Sequence, residues 1–238
     1  MNLLRLPLIV LKEVFKSMDF REKFLISFLS KRARNTLQLT CVIPHFSFHL
    51  VDDFHIHAGR SWLDRNTEEE NKGNVYIGRQ KMRLRTTSDT LILRENPIRK
   101  WLLMTGYLLA TFKKSTISLG FHGTPAVSAL DFIKMINQRQ LCVTLVVYSS
   151  LVTQSSEFIR KILDECTEVT DLIRISAAFP DDFVYTPPRP FKAKKLFVGK
   201  INNWFNLEKF MNCLRISVEP ERTQIGLHRT TSRSSQNG

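Results

Sequence analysis

The chain has 238 residues, with 35 Lys and Arg against 22 Asp and Glu, giving a formal charge of +13. That balance favours an acidic partner, whether nucleic acid, membrane surface or acidic protein, yet no run of like charges concentrates it into a motif. The hydrophobic fraction of 43% and charged fraction of 24% exclude a wholly disordered chain, and no apolar stretch reaches the roughly 18 residues of a membrane span.

The first stretch, "LRLPLIVLKEVFKSMD" at 3–18, predicts a helix opening at Pro7, whose missing N–H costs nothing in the first turn. On a helical wheel Leu8, Val10, Leu11, Val14, Phe15 and Met18 fill an arc of roughly 160°, with Lys12, Glu13, Lys16 and Ser17 opposite and Ile9 among them. That arc is wide for a surface helix, so the segment either lies deep in its own core or shares its apolar side with another protein. The run from Leu6 to Leu11 is too short for a secretory signal, and Lys12 and Glu13 follow at once. Asp19, with Glu22 three residues on, predicts a capped second helix carrying Phe24, Leu25 and Phe28. Ser30 caps a third, "KRARNTL", with Ala33 and Leu37 inward. Three short helices within residues 1–40 form too small a unit to stand without metal, disulfide or partner.

From 41 to 110 the pattern changes. "FSFHLV", "FHIHA", "NVYIG" and "KMRLRT" alternate as half-buried strands do. "DRNTEEENKGN" reads as a polar loop, and a helix follows from Pro97. From 111 to 220, the β-like runs "STISLGF", "CVTLVVY", "TDLIRIS", "KKLFVG" and "CLRISV" recur, with helices expected at "AVSALDFIKMINQ", "SSEFIRKILDEC" and "NLEKFMN". This spacing predicts an irregular αβ solenoid of leucine-rich-repeat type, interrupted by the stiff "TPPRP" at 186–190. Residues 221–238 are polar and basic without periodicity and are expected to be disordered. The predicted fold class is α+β.

The first 37 residues resemble an F-box. Leu6-Pro7, Val10-Leu11, Val14-Phe15, Met18-Asp19, Ser27 and Ser30-Lys31-Arg32 fall in the family's order. The resemblance implies a substrate-recognition subunit of an SCF-type ubiquitin ligase, binding the Skp adaptor and through it a cullin. Leu6, Pro7, Val10, Leu11, Val14, Phe15, Met18, Ser27 and Ser30 would face the adaptor. The αβ region would hold a protein substrate. The remaining chain is similar to the F-box proteins expanded in nematodes, which carry a type 2 F-box-associated domain, through "KKLFVGKINNWFNLEKFMNCLRISVE". In that family further αβ units follow, whereas here a polar tail does, so a shortened associated domain is expected.

Other motifs carry less. "KRAR" serves as the solvated face of the third helix rather than an import signal. His49, His55, His57, Asp52 and Asp53 gather in "HLVDDFHIH", but zinc needs three or four convergent ligands, and a polar strand face is the simpler reading. Asp181 and Asp182 are adjacent, point apart, and suit a surface turn better than an acid–base pair. Cys41, Cys142, Cys166 and Cys213 make no CxxC, and no N-x-S/T sequon occurs, which fits reduced thiols in the cytosol or nucleus. No catalytic motif is present, so the chain is expected to be a non-enzymatic adaptor without cofactor or metal. The competing class is a basic nucleic-acid-binding protein, for which "GRQKMRLR" and "PRPFKAKK" supply basic and aromatic residues but no stacking-platform motif.

Overall fold

The computed structural model describes residues 6–59, 71–94, 97–112, 115–150, 155–177, 183–199 and 213–219. Three short helices lead: α1 Leu8–Ser17, α2 Phe20–Ser27 and α3 Lys31–Thr40. Five strands follow: β1 His45–Leu50, β2 Phe54–Ala58, β3 Asn71–Ile77, β4 Gln80–Thr86 and β5 Thr90–Leu93. Then come α4 Ile98–Thr111, β6 Thr116–His122, α5 Ala126–Asn137, β7 Val143–Ser150, α6 Ser156–Glu165, β8 Leu172–Ala177, β9 Lys195–Gly199 and β10 Arg215–Glu219.

The ten described strands join one mixed sheet, in the order β10-β9-β8-β7-β6-β1-β2-β5-β4-β3. β1 and β6 to β10 run parallel in adjacent pairs, and β1 to β5 are joined by antiparallel pairs. The strand β5 is absent from the four expected in this region, because "TLIL" has no clear alternation; three of its four residues are buried. The polar loop expected up to Asn74 ends earlier, since Asn71 to Asn74 pair with Arg83 to Thr86 in a hairpin. Gly78, at the first of two turn residues, takes φ +61°, a conformation that suits glycine.

The expected boundary at residues 110 and 111 does not divide the sheet: β1 lies beside β6, with Phe46 opposite Ile117 and Phe48 opposite Leu119. The core is likewise continuous across it. On one sheet face Phe132 of α5 packs against Phe48, Phe54 and Phe121. Trp101 of α4 stacks on Phe54. Each aromatic ring buried here contributes about 1.5–3 kcal/mol of transfer free energy.

The chain is thus mixed α/β with helices first, while a regular leucine-rich-repeat solenoid is not shown. Helices fill the β6–β7 and β7–β8 connections, but residues 183–194 before β9 form neither helix nor strand. Pro187, Pro188 and Pro190 deny that stretch backbone donors. The helix expected at "NLEKFMN", the tail at 221–238, and Asp181 and Asp182 lie outside the described residues.

Candidate functional site: an apolar helical turn at the N-terminus

Pro7 is the N-cap of α1, which ends before an extended Met18. Asp19 then starts α2 with both halves of a capping box: its carboxylate accepts from the Glu22 N–H at 2.7 Å, and the Asp19 N–H donates to the Glu22 carboxylate at 3.0 Å. Ser30 caps α3, its hydroxyl oxygen accepting from the Ala33 N–H at 3.0 Å. Such caps are each worth about 1 kcal/mol, and they set the two sharp joints between the helices.

The helices then bury their i, i+4 rows in the chain's own core. Leu11 and Phe15 are 3% and 0% exposed. Phe24, Ala33 and Leu37 are buried as well. Phe20 meets Phe46 of β1 and Phe112 beyond α4 edge-on, with ring centroids 5.6 and 5.8 Å apart. Ser27 is buried and hydrogen-bonds the Tyr107 hydroxyl at 2.8 Å. Gln38 donates to the Ala110 carbonyl at 2.7 Å, and the Arg21 N–H to the Ser88 carbonyl at 3.1 Å. The apolar arc of α1 therefore lies against α3, while α2 and α3 in turn pack on α4 and the sheet.

The first turn of α1 is different. Leu8, Ile9 and Val10 are 56%, 75% and 40% exposed. Consecutive residues on a helix point about 100° apart, so these three ring the turn with apolar side chains. Leu25 and Leu29, in and after α2, are also exposed. Of the nine residues expected at the adaptor, Pro7, Val10 and Ser30 are exposed, Leu6, Val14 and Met18 half-buried, and Leu11, Phe15 and Ser27 buried. The buried three serve the fold, and Ser30 serves a cap. Leu8, Ile9, Leu25 and Leu29 lie outside that set. Ile9, Leu25 and Leu29 are apolar and out of phase with the inward rows, whereas Leu8 shares the Leu11 and Phe15 row and is exposed at the helix end.

His49, His55, His57 and His122 cluster across β1, β2 and β6 through ring contacts. His49 stands 5.8 Å from His57 and 6.3 Å from His122, centroid to centroid, in edge and stacked contacts, and His55 stacks on His57 at 6.3 Å. Among the described residues no three or more His, Cys, Asp or Glu side chains converge as ligands. Burial, then the neighbouring imidazoles, pushes His49 down to about 3. Burial also lowers His57 and His122. Asp53 instead lies 3.6 Å from Arg94.

Among the described residues no helix is long and apolar enough to cross a membrane. No curated protein and no solved structure matches the chain. Residues 3–42 match the family model of the F-box domain. That match takes in all three helices and the exposed apolar turn, and it supports an F-box protein.

Proposed function

We propose that the chain is a non-catalytic substrate-recognition subunit of an SCF-type ubiquitin ligase. Its F-box binds the Skp adaptor, and through it a cullin. The sheet and its helices bind a protein substrate. F-box domains generally serve such ligases, which gives the coarse reading. The observation that carries the finer one is the ring of Leu8, Ile9 and Val10 on a turn that the described residues leave uncovered. Burying three such side chains against a partner removes apolar area worth about 1.5–3 kcal/mol per fully buried residue. Strands neighbouring in chain order from β6 to β10 support a relation to the nematode proteins with a type 2 F-box-associated domain, at work in the cytoplasm or nucleus.

The test is recovery of purified Skp adaptor by the immobilised chain. The reading expects capture that persists at high salt, since the contact is apolar. Absence of capture, or capture lost between low and moderate salt, overturns it.

A further inference from the structure

The parallel half of the sheet carries the core on one face only. Along β8 and β9, Ile173, Ile175, Leu196 and Val198 are buried in that core. Leu172, Arg174, Lys195 and Phe197 alternate with them and so lie on the opposite face. Register extends that face over four strands. Leu145 lies beside Leu172, Leu172 beside Lys195, and Lys195 beside Arg215, while Arg174 lies beside Phe197. Leu145, Leu172 and Phe197 are half-buried and stand outside the core. This apolar floor ends at three exposed cations, Arg174, Lys195 and Arg215.

Those charges are not balanced within the chain. Among the described residues none of the three has an ion-pair partner, and Asp171, next to Leu172 in the sequence, pairs with none of them. Lys195 and Arg215 stand on adjacent strands, about 4.8 Å apart at the backbone, where like charges repel. The Arg174 guanidinium lies 4.3 Å from the centre of the Phe197 ring, which orders it without neutralising it. Its charge, after burial, lowers the imidazole of His122. An apolar floor that ends in unbalanced cations suits a ligand bringing an aliphatic side chain and a carboxylate together. Spacing sets the ligand's form. From Leu172 to midway between Lys195 and Arg215 is one and a half strand spacings, about 7 Å. Alternate residues of an extended chain share one side and stand about 6.8 Å apart. We propose that this face docks an extended segment of a protein substrate, with an aliphatic residue over Leu145 and Leu172 and, two positions on, an Asp or Glu at Lys195 and Arg215. The proposal rests on the reading of the chain as a substrate-recognition subunit, and it names the chemistry of the substrate. Charge complementarity joined to the apolar floor selects that occupant. RNA is a separate class, which brings phosphates but no aliphatic side chain.

The test uses the full chain and a fluorescein-labelled peptide of repeated Leu-Ser-Glu-Ser, read by fluorescence anisotropy. Because the whole protein is basic, position must be separated from net charge. Lys195→Gln with Arg215→Gln removes two cations from the face. Arg99→Gln with Lys134→Gln makes the same charge change at exposed positions on α4 and α5. Those helices pack on the other side of the sheet, through Trp101 and Phe132. The expected result is roughly tenfold weaker peptide binding for the face variant and little change for the helix variant. A peptide with its leucines replaced by serine is expected to bind the wild-type chain roughly tenfold less tightly as well. Equal weakening by the two variants overturns the proposal. So does a leucine-free peptide that binds as tightly as the original, tighter binding of poly-uridine RNA than of the peptide, or no peptide binding to the wild-type chain. An unchanged melting temperature shows that the face variant still folds; if it is lowered, the leucine-free peptide on the unaltered chain decides. Capture of Skp adaptor is measured in the same preparation. Peptide binding without capture counts against the F-box reading, and capture without peptide binding counts against this site.

Discussion

Phe28 and Tyr107 lie face to face, ring centroids 4.6 Å apart and planes 12° apart, and so tie the end of α2 to the middle of α4. The Tyr107 hydroxyl adds a bond to the Ser27 carbonyl at 3.0 Å, and Arg34 sits over the same ring at 5.8 Å. The helical unit at the N-terminus is thus fastened to the body by this aromatic pair and the polar bonds around it, together with Phe20 against Phe46 and Phe112. Removing the ring is expected to loosen that unit. Tyr107→Ala should lower stability by about 3 kcal/mol, from lost burial and a stranded Ser27. Tyr107→Phe should cost about 1 kcal/mol, the usual effect of losing a hydroxyl and its bonds. Urea unfolding with unchanged m-values checks both.

Phe15 is fully buried within the chain's own core. Phe15→Ala is expected to destabilise by about 3–5 kcal/mol, as truncation of a packed aromatic does. Adaptor binding would then fall through the fold. A melting temperature equal to that of the wild type would show that Phe15 is not packed as described.

Gly120 of β6 lies directly opposite His49 of β1, and a β-carbon there would run into Nδ1 of the imidazole. A glycine inside a strand is weakening unless something needs the space, and here the ring does. Gly120→Ala should cost about 1–3 kcal/mol by overpacking. A smaller side chain at 49, in Gly120→Ala with His49→Ser, should recover some of that loss. No recovery would place the strain elsewhere.

Acid should also weaken the fold through the same imidazole. His49 is held down to about 3, against about 6.5 in an unfolded chain. A histidine with a lowered folded value contributes full stability above the unfolded value and loses it as pH falls toward the folded one. Between pH 7 and pH 5 the loss from His49 is about 2 kcal/mol. His57 and His122 shift in the same direction, with Asp89 opposing at His57 and Arg174 adding at His122. His49→Gln should flatten the stability profile over that interval. An unchanged slope would mean that His49 does not titrate as a buried group.

The N-terminal helices were legible because their signals are local. Pro7, Asp19 with Glu22, and Ser30 act through the next three or four residues, and the structure shows those turns and caps. Every described strand except β5 overlaps a run expected to be a strand, for the same reason, although the first half of β3 lies in the expected polar loop. What escaped is non-local. No period shows that Leu11 and Phe15 are buried in the core while Leu8, Ile9 and Val10 are exposed. Nor does one show that β1 pairs with β6 some 70 residues away, joining two expected regions into one sheet. The pairing of Lys72 with Arg85 likewise depends on hairpin register, since they are 13 apart in sequence and opposite in space.

The account rests most on the first turn of α1, and adaptor affinity after Ile9→Asp with Val10→Asp measures it most directly. Both positions are exposed, and aspartates in a first helical turn suit the positive end of the helix dipole, so folding should be spared. Calorimetric titration of Skp adaptor should show binding weakened by roughly thirtyfold or more, the effect of losing about 2 kcal/mol at an apolar contact. Lys16→Ala, on the polar side and paired with Glu13 at 2.8 Å, should bind as the wild type does. If the double variant keeps its melting temperature and binds the adaptor as tightly as the wild type, the exposed turn is not the adaptor site, and the ubiquitin-ligase role built on it is contradicted.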